Sequence, residues 1–156
     1  MVKRYFHGDT IEGFLAMHDA QIVGYLTTAH TSLHASLQGL QADVWREEIA
    51  LLKDILTQYI GRGHIYFEYT IPRMGRRIDV VLLLDGVVLL LEFKAFNEQY
   101  SRADIAQVWD YALDLKNNSK NKSRMLWLGV SYNFNSFKQR GGQKSENDRS
   151  LIRLGM

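Results

Sequence analysis

The chain has 156 residues, 46% of them hydrophobic and 23% charged, and it carries no cysteine. That length and apolar content suit one globular domain with its own core, and they exclude a wholly disordered chain, a disulfide scaffold, a thiolate zinc site and a cysteine nucleophile. The net charge of +2 is unevenly spread, with 10 Lys and Arg against 15 Asp and Glu in residues 1–115, and 9 against 2 in residues 116–156. A basic tail of this kind either meets nucleic-acid phosphates, displacing their counterions, or is simply solvated.

The longest apolar runs, Val80–Leu84 and Val87–Leu91, are far too short to cross a bilayer. The amino-terminal stretch MVKRYFHGDT lacks the apolar core of a signal peptide. The expectation is a soluble, cytoplasmic protein with no membrane partner.

In chain order, Asp9-Thr10-Ile11-Glu12 reads as a capping box that opens a helix with Ile11, Phe14 and Leu15 on one face. A second short helix is expected over about Asp19–Thr28, with Gln38–Ala42 as a connector. Asp43 is expected to cap a periodic helix over Val44–Ile60 that Gly61 and Gly63 close. The period then changes. From His64 to Ile71 the residues alternate, with Ile65, Phe67, Tyr69 and Ile71 on one face of a strand. After a turn at Pro72–Gly75, the runs Arg77–Leu84 and Val87–Lys94 flank Asp85-Gly86, a two-residue hairpin signal. Their near-continuous hydrophobicity predicts a sheet covered on both faces. A helix over about Ala103–Lys116 and a closing strand over Met125–Tyr132 follow. The expected fold is therefore α/β, a mixed sheet flanked by helices in the order αβββαβ with extra amino-terminal helices. Residues 1–132 are expected to form the domain, and 133–156 a basic, flexible tail.

The hairpin fixes a register. If Leu84 faces Val87, Asp79 falls directly across from Glu92, and Lys94 points to the same face as Glu92. Two facing carboxylates beside an apolar core are costly unless something neutralises them. Lys94 offsets one of them. A divalent cation would neutralise both, because Mg²⁺ takes one or two carboxylates together with waters and phosphate oxygens. The alternative is an ordinary charged strand end at the rim of the sheet.

On the Val44–Ile60 helix the apolar stripe is Trp45, Ile49, Leu52, Ile55, Leu56 and Tyr59. Glu48 falls inside it, whereas Glu47 falls outside. An acid on a core-facing stripe needs a partner, either this site or an arginine such as Arg76 or Arg77. On the later helix, Gln107 and Tyr111 flank a stripe of Ile105, Val108, Trp109 and Ala112. They can reach the site or a nucleic-acid backbone. His30 and His34, at helical spacing, are read as helix-surface residues without a third ligand. Glu68, on a strand near the proposed site, either supports the site from behind its ligands or, the reading preferred here, is an ordinary sheet-face residue.

Arg77-Ile78-Asp79-Val80-Val81, Leu91-Glu92-Phe93-Lys94 and Gln107-Val108-Trp109-Asp110-Tyr111 together resemble the PD-(D/E)XK nuclease superfamily, in particular its RecB-like members with a Q-x-x-x-Y helix. The stretch from Phe67 to Asp79 resembles the amino-terminal nuclease-like domain of bacterial Schlafen-related DNA/RNA helicases. The resemblance covers roughly residues 3–118. It implies a restriction-endonuclease-like fold and a Mg²⁺- or Mn²⁺-dependent deoxyribonuclease. By it, Asp79, Glu92 and Lys94 match the catalytic motif, Glu48 the first-helix acid beside the metal, and Gln107 and Tyr111 the accessory motif. The family's proline is replaced, since Ile78 precedes Asp79. Arg76, Arg77, Gln107 and Tyr111 are the expected nucleic-acid contacts, with DNA as substrate and a helicase as a further partner.

The chain has no G-x-x-x-x-G-K-[ST] motif, so no ATP-driven motor is expected in it. The stretch from about Asn121 to Met156 does not resemble the family's continuation, which implies a truncated or frame-altered product. The rival expectation is accordingly an inactive nuclease fold that binds nucleic acid or protein, a remnant of a helicase-nuclease. Lys138, Arg140 and Lys144, with Phe134 and Phe137, are either a nucleic-acid-contacting tail or solvated chain.

Overall fold

A computed structural model describes residues 3–33, 39–71, 75–94, 102–118 and 126–133. The strands β1 (His7–Thr10), β2 (Gly63–Thr70), β3 (Arg77–Leu84), β4 (Val87–Lys94) and β5 (Leu126–Asn133) form one sheet in that spatial order. Strands β1 to β4 run antiparallel to their neighbours, and β5 runs parallel to β4. A parallel pair needs a crossover, and the helix α4 (Arg102–Asn118) lies between these two strands in the chain. On one face of the sheet pack α1 (Ile11–Ala16), α2 (Asp19–Leu33) and α3 (Gly39–Leu56), and on the other packs α4. The protein is thus α/β with a mixed sheet flanked by helices, and from α3 onward the order is αβββαβ. Among the described residues no helix is long and apolar enough to cross a membrane.

Both faces of the central strands are covered, which explains their continuous apolar sequences. Phe14, Ile22, Leu26, Trp45, Ile49 and Phe67 are fully buried in the core under α1–α3. Ile78, Val81, Leu90, Val108, Tyr111 and Ala112 form the core under α4. Burying each large side chain contributes about 1.5–3 kcal/mol. Lys53 fastens α3 to the amino-terminal helices, pairing with Asp19 at 2.7 Å and donating to the Met17 carbonyl. Gly129 lets α4 lie close on β5, because a Cβ there would stand 2.5 Å from Val108 Cγ1.

Bounds of β3 and β4 agree with the expected ones, and Asp85 and Gly86 take φ of 46° and 84° as the tight turn requires. Arg62 caps that turn from β2's side, its Nε donating to Asp85 Oδ2 at 2.8 Å. Elsewhere the expectations shift. The strand β1 was not expected; it is only four residues long and pairs on one side alone. The first cap is Thr10, whose hydroxyl accepts from Gly13 N at 3.0 Å, rather than Asp9. The helix α2 runs on to Leu33. Residues 39–42, read as part of a connector, form the first turn of α3, because Leu, Gln and Ala are strong helix formers. Asp43 therefore lies inside the helix and pairs with Arg46 at 2.6 Å instead of capping it. The helix stops at Leu56, and Thr57–Tyr59 make one 3₁₀ turn. Its buried row is Trp45, Glu48, Ile49, Leu52 and Leu56, with Ile55 turned outward. On α4 the buried row is Val108, Tyr111, Ala112 and Leu115, so Trp109, expected in the stripe, is 41% exposed beside Leu113. The tail beyond Asn133, with its Phe, Lys and Arg residues, and His34 lie outside the described residues.

Strands β2 and β3 turn over together. Ile65 and Phe67 pack under α1–α3, but Tyr69 and Ile71 pack under α4; likewise Val80 and Leu82 face α1–α3 while Ile78 faces α4. The alternation expected from Ile65 to Ile71 therefore breaks at Glu68, whose φ is 52°. No residue is inserted, since Phe67 pairs with Val80 and Tyr69 with Ile78 on either side. A left-handed non-glycine residue costs about 1–3 kcal/mol and persists only where its surroundings hold it. Glu68 and Asp79 lie at the point where both strands change faces.

Candidate active site

This crossover explains how groups from both sides of the sheet meet. Glu48 arrives from α3, on one side. Gln107 and Tyr111 arrive from α4, on the other. Glu68, Asp79, Glu92 and Lys94 come from the three strands between.

Glu92 is 7% exposed, and among the described residues its side-chain hydrogen bonds converge on one oxygen. Lys94 Nζ lies 3.2 Å from its Oε1, and Gln107 Nε2 lies 3.3 Å from the same atom. The second amide hydrogen of Gln107 is directed to the Tyr111 hydroxyl at 2.7 Å. Among the described residues, Glu92 Oε2 is buried with no well-formed hydrogen bond. Burial raises the Glu92 carboxyl above its ordinary range; Lys94 opposes the shift, the Glu68 charge adds to it, and the backbone N–H of Asp79 eases it.

Asp79 departs from the expected geometry. The β3–β4 ladder follows the predicted register as far as Val80↔Leu91 and stops one pair short of Asp79 and Glu92. Asp79 Oδ2 instead accepts the Phe93 amide at 2.7 Å, so the side chain replaces a ladder bond where the strands part. Asp79 keeps some contact with solvent but sits deep among protein atoms. Burial first, then the Glu92 charge, push it well above the ordinary carboxylate range, against the Phe93 N–H and Lys94.

Glu48 is 2% exposed, on the buried row of α3 as its position in the stripe predicts, while Glu47 is less buried. Among the described residues no side-chain hydrogen bond or ion pair reaches it. Burial, then Asp79, Glu68 and Glu92, push it well above the ordinary range. The arginine partner considered for Glu48 goes to Glu68: Arg77 Nε lies 3.7 Å from Glu68 Oε2, and the guanidinium sits 4.8 Å over the Phe6 ring. Arg76 is exposed at the start of β3, and its side chain has no described contact with the acidic groups.

Glu68, expected near the site but as ordinary sheet face, belongs to the cluster. It is 8% exposed, accepts from Trp45 Nε1 at 2.9 Å, and loads charge onto Glu48, Asp79 and Glu92. Burial raises its own carboxyl, opposed by Trp45 and Arg77. His30, read as a surface residue, lays its ring against Phe6 and Trp45.

Four carboxylates thus share one buried region with one lysine. Among the described residues no three acidic or histidine groups converge closely enough to make a ready-made metal cage. The donor set nevertheless fits a hard cation that keeps several waters, which asks for only one or two carboxylates. The buried Oε2 of Glu92 is an oxygen ligand in search of a charge, and the mutual crowding of Glu48, Asp79 and Glu92 is what a cation would relieve. An open groove of about 480 Å³ between β1 and α2, lined by Phe6, His7, Met17 and Tyr25, shares no residue with this cluster.

No protein-family model matches the chain. No curated protein and no solved structure matches it either.

Proposed function

We propose that the protein is a Mg²⁺- or Mn²⁺-dependent nuclease of the PD-(D/E)XK type, hydrolysing phosphodiester bonds in nucleic acid, with DNA as its substrate. The observation that carries this reading is the state of Glu92. One oxygen is fixed by Lys94 and Gln107, and the other, among the described residues, is buried without a well-formed hydrogen bond, in a carboxylate beside Asp79's charge. Most buried carboxylate oxygens in folded proteins are hydrogen-bonded, so an unpaired one beside a second acid supports a role in holding a cation.

In this reading Asp79 and Glu92 would hold the cation, with Glu48 behind them. The bound metal would neutralise charge on the phosphate and make water a better nucleophile. The protein's own groups do the rest. Gln107 and Lys94 fix the orientation of Glu92, and the Phe93 amide fixes Asp79. The ammonium of Lys94 faces the negative charge that builds on the phosphoryl oxygens as water adds to phosphorus and the P–O bond breaks. The leaving oxygen takes up a proton, giving a phosphate monoester and a free hydroxyl. Arg77 is engaged with Glu68 and Phe6, which leaves the exposed Arg76 the freer of the two arginines to meet a backbone phosphate.

A second reading, a nuclease fold that holds nucleic acid without cutting it, is favoured by the absence of a preformed three-ligand cage among the described residues. Cleavage assays with Mg²⁺, Mn²⁺ or EDTA separate the two. The nuclease cuts with metal and stops in EDTA. A binder never cuts, and its affinity follows salt rather than metal.

A further inference from the structure

Glu68 is a buried acid whose role the nuclease reading leaves open. Its backbone is left-handed, an uncommon state for a residue with a side chain. Its carboxylate is gripped from two directions, by Trp45 Nε1 at 2.9 Å and by Arg77 Nε at 3.7 Å. Trp45 stands three residues before Glu48 on α3, so the two side chains share the buried row and move as one body. The Trp45–Glu68 hydrogen bond joins α3 to the sheet at the one place where β2 and β3 change faces. Glu48, by contrast, has no hydrogen bond of its own among the described residues, so nothing polar in its own side chain holds it among like charges.

We infer that Glu68 is a positioning residue: through its hydrogen bond to Trp45 it seats α3 on the sheet so that Glu48 is held beside Asp79 and Glu92. Desolvation and repulsion both oppose that placement of Glu48. The bond offsets them by locking the neighbouring turn of the helix. The left-handed backbone at Glu68 follows from the same demand, since regular alternation would aim its carboxylate away from the face that carries Trp45. As far as it concerns metal, this inference rests on the nuclease reading. The seating of Glu48 does not.

Three variants test it: Trp45→Phe, which substitutes none of the acidic residues, Glu68→Gln, whose amide oxygen still accepts from Trp45, and Glu68→Ala. In a direct Mn²⁺ titration, Trp45→Phe and Glu68→Ala should weaken binding at least tenfold (about 1.4 kcal/mol), and Glu68→Gln should stay within about threefold of the parent (about 0.6 kcal/mol). Crystals of Trp45→Phe grown in EDTA should show Glu48 withdrawn from Asp79. Glu48 unmoved in those crystals overturns the inference whatever the metal data. So does a Glu68→Gln protein as weak as Glu68→Ala, which would mean that Glu68 acts by its charge alone. If Trp45→Phe does not fold, the contrast between the two Glu68 variants decides. A parent protein that takes up no Mn²⁺ refutes the metal reading only, and the position of Glu48 in the Glu68→Ala and Trp45→Phe crystals still decides the seating.

Discussion

Gln107 Nε2 donates both to Glu92 Oε1, at 3.3 Å, and to the Tyr111 hydroxyl, at 2.7 Å. One amide thereby couples the helix on one face of the sheet to the carboxylate at its rim, and the i, i+4 spacing on α4 makes the reach possible. Gln107→Ala should leave Glu92 held by Lys94 alone among these two donors. Partners that orient a ligand are typically worth 10–100-fold in metal affinity or activity. A loss in that range is expected for Gln107→Ala in Mn²⁺ titration and cleavage, with a smaller loss for Tyr111→Phe, and the melting temperature should change little.

The acidic cluster stores repulsion in the metal-free protein. Glu92→Gln or Asp79→Asn removes one of several crowded charges without changing shape. In EDTA at pH 8 each should hold or raise the melting temperature; about 1 kcal/mol of relief corresponds to roughly 2–4 °C for a chain of this size. The same substitutions should abolish cleavage. A large loss of stability would mean that these carboxylates serve the fold instead.

The pH dependence has a definite sign. Glu48, Glu68, Asp79 and Glu92 all have folded-state values raised above the ordinary carboxylate range. A group raised in the folded state binds its proton more tightly there than in the unfolded chain. The stability this confers is fully present below the unfolded value, near 4, and is lost as pH rises through the folded value. Metal-free protein should therefore melt at lower temperature as pH climbs from about 5 to 8. Millimolar Mg²⁺ should flatten that slope, since it binds the folded state and neutralises the same charges. A melting temperature that rises over this range in EDTA would contradict the direction.

Close packing of α4 on β5 can be tested away from the acids. A Cβ at Gly129 would meet Val108 Cγ1 at 2.5 Å. Gly129→Ala should cost about 1–3 kcal/mol, the usual penalty for overpacking, and pairing it with Val108→Ala should recover most of the loss. Chemical denaturation of the three variants measures both.

Much of this architecture is written in residue order. Asp85-Gly86 announces the hairpin, and counting back from it brings Asp79 and Glu92 to the same end of the strands. The stripe on α3 puts Glu48 inside and Glu47 outside, as found. Three features are not legible in this way. The ladder's end before Asp79 depends on a side chain that takes the Phe93 amide, which no register count contains. The reversal of faces at Glu68 depends on a left-handed backbone at a residue that disfavours it, so strict alternation places Glu68 on the wrong side of the sheet. Strand β1 is too short and too polar to show a period, and it exists because Gly8 and Asp9 pair with Tyr66 and Ile65 of a strand more than fifty residues on.

If Lys94 and the carboxylates beside it hydrolyse phosphodiesters, the comparison that shows it is the parent against Lys94→Ala on mixed linear and circular DNA, with Mg²⁺, with Mn²⁺ and with EDTA. The parent should cut with metal and not in EDTA, and Lys94→Ala should lose at least about a hundredfold in cutting while DNA binding and the melting temperature persist. Full cutting by Lys94→Ala, or no cutting by a well-folded parent in either metal, would contradict the nuclease reading.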